Sequence, residues 1–305
     1  MKNIYLALCL FAFAITSCEK TVIKQATGPA TGVQLKFFHA APGTPALDAF
    51  VNGVQVTPTG STSLTDNAAP SSIVTGYSYL GIFPGVNYSV TASGSTVVKI
   101  VTSTPVPALV SKQTSLPAAT VGSVTQNTTD GTAYSVFTIG LPGSASAGVT
   151  TMIVPDKFPD PVSGKAYIRL AALIPNATTG VDLVGIYTPI GGTATSKILV
   201  NNIKYPNVTD FTAVDMNPLS TTSYTFQLYL TGTTTKIGAV SASIALTPGR
   251  FYTIIGRGLA ADYVVPGAGI TLKATARPTL PTSDPTTKFP EIYFNIPGIS
   301  YYTNK

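Results

Sequence analysis

The chemistry open to this chain rests on a short roster: one histidine, His39, two cysteines, Cys9 and Cys18, ten Asp and two Glu. A Ser-His-Asp triad or a histidine-ligated metal would have to use His39, since no second histidine exists to share the work. His39 reads in two ways: as a lone general base paired with Asp48, or as a ring packed at a strand end and hydrogen-bonded to a loop carbonyl. The second reading is favoured. A glycosidase needs two carboxylates flanking one bond; spacing permits Asp48 with Asp66, and nothing favours the pair. Asp48 and Asp182 recur at matching strand positions, which predicts a structural task, such as accepting backbone N–H groups at a turn. A calcium loop needs several acids at alternate positions, and Thr129-Asp130-Gly131 supplies one, so it reads as a turn. Gly76-Tyr77-Ser78-Tyr79-Leu80-Gly81 misses a nucleophile elbow by one residue, and no phosphate-binding loop occurs. No catalytic residue, metal or cofactor is therefore expected; the alternative is a glycan-processing hydrolase using Asp48 and His39.

Cys18 stands apart. Met1-Lys2-Asn3 is a short positive start, and residues 4–15 form an apolar run too short to cross a bilayer, as in a signal peptide. The run closes on Ile15-Thr16-Ser17-Cys18, which resembles a lipobox, whose cysteine is acylated and becomes the new N-terminus. The alternative is a plain secretory signal with an incidental cysteine. Cys9 would leave with the signal, so Cys18 has no disulfide partner and is best used as an anchor. Residues 1–17 are thus expected to be a lipoprotein signal peptide and 18–31 a polar tether. The protein is expected in the bacterial cell envelope as an outer-membrane lipoprotein, held to the membrane by lipid on Cys18, with the periplasmic or cell-surface face left open.

Charge argues against nucleic acid as a partner. The formal net charge is +6, with 18 Lys+Arg against 12 Asp+Glu. The basic residues are scattered singly, whereas a nucleic-acid footprint clusters them among aromatics. A glycan or protein ligand in the envelope remains. Trp is absent, but 15 Tyr are present, and Tyr77, Tyr79, Tyr301 and Tyr302 are the candidates for an exposed binding surface at loop tips.

The elements that must carry these residues are short strands. Only 10% of the residues are charged, and Gly and Pro number 27 and 24 among abundant Thr, Val and Ser, a composition of strands and turns. Val33-Gln34-Leu35-Lys36-Phe37 alternates as a strand with one buried face. Asn52-Gly53 between apolar runs predicts a hairpin, because both residues tolerate positive φ. The order then repeats. Asp48 and Asp182 lie 134 apart, as do Pro84 and Pro218, each proline preceding a Tyr-centred strand around Tyr88 or Tyr224. The run from Tyr134 to Gly140 matches that from Phe251 to Gly256 at an offset of 116, so the first half is expected to hold a longer connection in the polar 113–131 region. Self-similarity at this period predicts a duplicated domain.

The residues from Phe38-His39-Ala40-Ala41-Pro42-Gly43 through Asp48 to Asn52-Gly53, with the Tyr252-Thr253-Ile254-Ile255-Gly256 strand, resemble uncharacterised domain family 4397. The likeness covers about 33–140 well; the second copy, about 165–260, lacks the histidine. It implies an immunoglobulin-like β-sandwich, often in tandem on secreted or lipid-anchored bacterial proteins, and no established activity. The expected architecture is all-β: sandwich one at 32–154, a Pro-rich linker at 155–163 acting as a spacer, sandwich two at 164–280, and a C-terminal segment, 281–305, with a last strand near 292–296. The expected function is a non-catalytic lipid-anchored envelope protein presenting two sandwich modules for binding, adhesion or spacing.

Overall fold

In a computed structural model, the described residues are 31–61, 73–103, 119–217, 221–276, 291–293 and 295–305, and Gly32–Lys305 form one unit. Cys18, Asp66 and Pro218 lie outside the described residues. The first half comprises β1 (Val33–His39), β2 (Leu47–Val51), β3 (Val54–Gln55), β4 (Thr59–Ser61), β5 (Ile73–Thr75), β6 (Ile82–Phe83), β7 (Ser89–Thr91), β8 (Gly94–Thr102), β9 (Thr120–Thr128), β10 (Ala133–Ile139) and β11 (Thr150–Pro155). The second comprises β12 (Lys165–Ala172), β13 (Val181–Tyr187), β14 (Thr195–Ile203), β15 (Thr212–Asp215), β16 (Thr222–Leu230), β17 (Lys236–Ile237), β18 (Ile244–Leu246) and β19 (Phe251–Arg257). A coda follows: β20 (Tyr263–Val265), β21 (Ile270–Leu272), β22 (Glu291–Ile292) and β23 (Gly298–Thr303). Among the described residues there is no helix. The protein is all-β, as expected.

Each half is a sandwich. In the first, an outer sheet β3-β2-β8-β9 faces an inner sheet β11-β10-β1-β6, with β7 also on β1. In the second, an outer sheet β14-β13-β16-β17, with β18 on β16, faces an inner sheet β15-β12-β19-β23. Leu35, Phe37, Ala49, Ile100 and Val136 fill the first core, and Leu170, Leu183, Phe226 and Ile254 the second. A third cluster joins Phe38, Ala40 and Phe137 to Ala171, Leu173, Ile255 and Tyr302. The two inner sheets therefore pack back to back, giving four layers in all. This corrects the expectation of one buried face for the first strand: β1 is covered on both faces, and Lys36 is buried with Phe38 and Ala40.

The duplication is legible bond by bond. β1 runs parallel to β10 and β12 parallel to β19, with Lys36 opposite Ser135 and Arg169 opposite Thr253. The Tyr134 hydroxyl accepts the Thr129 N–H, and the Tyr252 hydroxyl accepts the Thr247 N–H, each five residues upstream, a corner like that of immunoglobulin-type sandwiches. The true offset of these strands is thus 252 − 134 = 118, and Gly140 corresponds to Gly258 rather than Gly256. Both glycines have positive φ, 106° and 95°, and in each a Cβ would strike a carbonyl, Gly148 O or Ile296 O. The Asn52-Gly53 hairpin forms as expected, with φ of 50° and 82° and Val51 paired to Val54. Part of the expected 113–131 connection is regular structure, the nine-residue β9.

Two boundaries move. Residues 155–163 are no spacer: Pro155 ends β11, and Asp156 is buried between the halves. The second sandwich does not end at 280 either. In the first half the outer flank of β10 is taken by the next strand, β11; in the second the same flank of β19 is taken by β23. The last strand is therefore 298–303, past the expected 292–296.

Candidate functional site

His39 sits at the end of β1 and is fully buried. Its Nε2–H donates to Pro45 O at 3.0 Å, and its Nδ1 accepts the Ala41 N–H at 3.3 Å. Tyr77 and Tyr79 meet the ring edge-on at centroid distances of 6.1 and 5.8 Å. Burial pushes its pKa down to about 4, so the ring is neutral at pH 7. A base so weak, with both nitrogens engaged, is poorly suited to proton abstraction near neutrality. His39 alternates with Leu35 and Phe37, which places it over the first core beside its register partner Thr138. In the second half Ala172 and Gly256 take these places, and there they line a small cleft with Ile174, Val181 and Tyr205.

Asp48 and Asp182 do occupy equivalent places, second in β2 and second in β13. Asp182 accepts the Asn202 N–H at 2.7 Å, the Gly232 N–H at 3.2 Å and the Thr231 hydroxyl at 2.8 Å. Burial opposes ionisation here, but these donors win and hold the carboxyl below its usual range. Asp48 accepts the Thr57 hydroxyl at 3.0 Å, and that same oxygen takes the Ala49 N–H. Asp48 ties β2 to the segment after β3, and Asp182 ties β13 to β14 and to the turn after β16. Among the described residues, no group of three or more His, Cys, Asp or Glu could hold a metal ion, and no helix is long and apolar enough to cross a membrane.

The expected tyrosine surface does not assemble. Tyr77 is in the first core and Tyr302 in the inter-sheet cluster, 6% and 3% exposed; burial holds both phenols above their ordinary pKa. Tyr79 lies against His39, and burial pushes it up to about 12. Tyr301 alone is exposed, at 44%. The alternation of β23 explains the split: Tyr301 and Tyr302 are neighbours on a strand and must point to opposite faces.

Sequence reading missed a polar cluster at the centre of the molecule. Asp156 accepts from four side chains: Arg169 Nη2 at 2.5 Å, Tyr88 Oη at 2.6 Å, Ser135 Oγ at 2.9 Å and Asn304 Nδ2 at 3.0 Å. Arg169 Nε donates to Thr253 Oγ1, which donates to Asn304 Oδ1 at 2.7 Å. Lys36 Nζ donates to the carbonyls of Val86 and Thr303, at 2.9 and 3.0 Å, between the rings of Tyr88 and Tyr302. Burial draws its pKa down, against the pull of Asp156. The duplication generates this cluster. Asp156 and Asn304 are equivalent, each following its flanking strand and donating its N–H to Ala133 or Phe251 at 2.8 Å. Equivalent positions hold a carboxylate in one half and a carboxamide in the other, and the two meet.

The other feature is directional. β1, β10, β12 and β19 all run toward the same end, where the segments that follow them meet the last three-stranded sheet; across the interface Arg169 of β12 reaches Ser135 of β10, and Lys36 of β1 reaches Thr303 O of β23. Gly32 and Lys305 therefore lie at one end of the unit, where Lys305 O takes the Phe251 N–H. At the opposite end, past His39, Ile139 and Arg257, the three-stranded sheet β20-β21-β22 forms a cap. Leu272 presses on Gly43, Tyr263 Oη donates to Pro142 O at 3.0 Å, and Leu141, Leu259, Val265 and Leu272 make a satellite core. The cap leaves Val264 66% exposed. Lys273 bridges Asp262 at 2.5 Å and Glu291 at 3.5 Å, and the Tyr293 hydroxyl donates to Glu291.

No family model matches the chain, and no curated protein matches it. Among solved structures, a "putative cell adhesion protein" from Parabacteroides distasonis aligns over 90% of this chain and 98% of its own length, at 10% identity and a TM-score of 0.16. A likeness that slight carries no argument here.

Proposed function

We propose that this chain is a non-catalytic, lipid-anchored protein of the bacterial envelope, of the kind represented by uncharacterised domain family 4397, whose two fused sandwiches hold a binding end away from the membrane. The observation that carries it is polarity: the chain enters the body at Gly32, at the end of the unit where Lys305 lies, and the cap lies at the far end. A tether attached through Cys18 would leave the cap, with Val264, Lys273, Glu291 and Tyr293, furthest from the membrane. Loops and small sheets rich in Tyr, Thr and Asn can recognise a protein or glycan without nucleophile, base or metal. The commitment of His39 and Asp48 to structural bonds supports this over the hydrolase reading.

The test has two parts. Cys18→Ala should release the protein from the membrane fraction or leave an unprocessed precursor; unchanged membrane association would refute the anchor. A glycan array and an envelope-extract pull-down should yield a ligand whose capture falls at least tenfold with Val264→Glu. Capture untouched by that change, or hydrolysis of any glycan that disappears with Asp48→Asn, would refute the presentation reading.

A further inference from the structure

We infer that β1 is a mechanical clamp, built to bear tension between the N-terminal tether and the cap. This rests on the proposed direction of presentation, but the device is readable from topology alone. The chain enters at Gly32 straight into the middle of the first inner sheet, not at its edge. Six residues of β1 pair in parallel with β10, and on the other side five pair with β6 and β7. These bonds cross between strands, perpendicular to the axis in the antiparallel ladders and slanted in the parallel one. A pull on Gly32 away from the cap runs along that axis, so the two ladders are loaded together in shear instead of opening one bond at a time.

Latches reinforce the point of entry. The Gly32 N–H donates to the Asp130 carboxylate, and Gly32 O accepts the Gly131 N–H at 2.9 Å. Four residues further, Lys36 Nζ reaches sideways to Val86 O and, across the interface, to Thr303 O. β1 cannot slide without breaking both, and the second bond passes the load to the C-terminal strand of the other half. A lysine is otherwise an expensive residue to bury. Its stem lies in the interface, and its head ties β1 to two other segments.

Single-molecule pulling on the soluble chain 18–305 tests this, because Cys18 is its sole thiol and makes one handle. A second handle at Ser146→Cys, in the loop joining β10 to β11 at the cap end, draws β1 and β10 past each other. A handle at Thr129→Cys, at the tether end, peels them apart instead. At equal loading rate the 18–146 pull should rupture at severalfold higher force, since forced unfolding follows the unfolding rate. Equal forces in the two geometries would overturn the clamp. Lys36→Met should lower the 18–146 force and spare the 18–129 force; a proportional fall in both would mean that Lys36 only stabilises the fold. Ala145→Cys serves as a second cap-end handle if Ser146→Cys misfolds. The measurement needs no membrane and no ligand, so a Cys18 that proves unacylated in cells would sink the anchor while leaving this result standing.

Discussion

Asp156→Ala is the sharpest test of how the two halves are joined. The carboxylate is buried between two buried cations, Lys36 and Arg169, and the Arg169–Asp156 side chains are 1% and 0% exposed. Removing it leaves the guanidinium with Thr253, Ser135 and the Pro155 carbonyl, and strips Tyr88 and Asn304 of an acceptor. Breaking a buried ion pair by deleting one partner costs roughly 3–5 kcal/mol, because the surviving charge stays desolvated. That is a large share of a typical total stability of about 5–15 kcal/mol. Urea unfolding at pH 7 should therefore show the midpoint fall sharply. The exposed pair Lys157–Asp210, 3.7 Å apart with side chains 68% and 78% accessible, is the control; Asp210→Ala should cost about 0–1 kcal/mol. A loss below about 1 kcal/mol for Asp156→Ala would refute the cluster as the weld between halves. So would two separate unfolding transitions in the wild type, since a shared buried network requires the halves to melt together.

Stability should also decline in mild acid on account of His39. Its pKa is about 4 folded against 6.5 unfolded, so the unfolded chain binds the extra proton between these values, and stability present above pH 6.5 is lost progressively down to about pH 4. The loss is about 3 kcal/mol at 1.36 kcal/mol per unit; a flat urea midpoint over pH 6.5–4 in the wild type would refute it. Gly140→Ala should destabilise strongly, by about 1–3 kcal/mol from positive φ alone and further from the Cβ 2.3 Å from Gly148 O; thermal melting would register an unchanged Tm as failure. Asp182→Ala strands the Asn202 and Gly232 N–H groups and should cost about 1–3 kcal/mol, whereas Tyr301→Ala, on the exposed face of β23, should stay within about 0.5 kcal/mol, both by urea titration.

Much of the sandwich was legible because local rules decide it. Asn52-Gly53 had to turn, the alternating runs had to be strands, and Asp48 and Asp182 had to sit alike once the repeat was seen. The site was less legible because it depends on which face of a strand is covered twice. The alternation of Val33 to Phe37 marks one set as apolar; it cannot say that Lys36 will also be buried, because the second cover is another copy of the same sheet. A signal was present, however. Lys36 and Arg169 fall at matching places in the two copies, where a free surface strand would tolerate any polar residue. Asp156 falls inside the proline-rich stretch that reads as a linker, where no apolar pattern marks a buried position.

Duplication followed by fusion explains why the cluster takes this form. Two identical sandwiches packing through their inner sheets would bury two equivalent basic residues in one interface, with a matching residue after each flanking strand. Two buried carboxylates in contact would repel, and two carboxamides would leave both cations unpaired. One of each resolves this: Asp156 neutralises Arg169, while Asn304 offers Nδ2 to the carboxylate and Oδ1 to Thr253. Lys36 is left to backbone carbonyls and aromatic faces, which share its charge without a second acid. The arrangement demands an asymmetric pair in a fixed register, so the halves can dock in one way only. Exchanging the pair, Asp156→Asn with Asn304→Asp, should then restore much of the urea stability that Asp156→Asn alone removes, since the Asn304 position also approaches Arg169 through Thr253. Recovery no better than the sum of the single changes would mean that the carboxylate is required at 156 itself, held there by direct contact with the guanidinium.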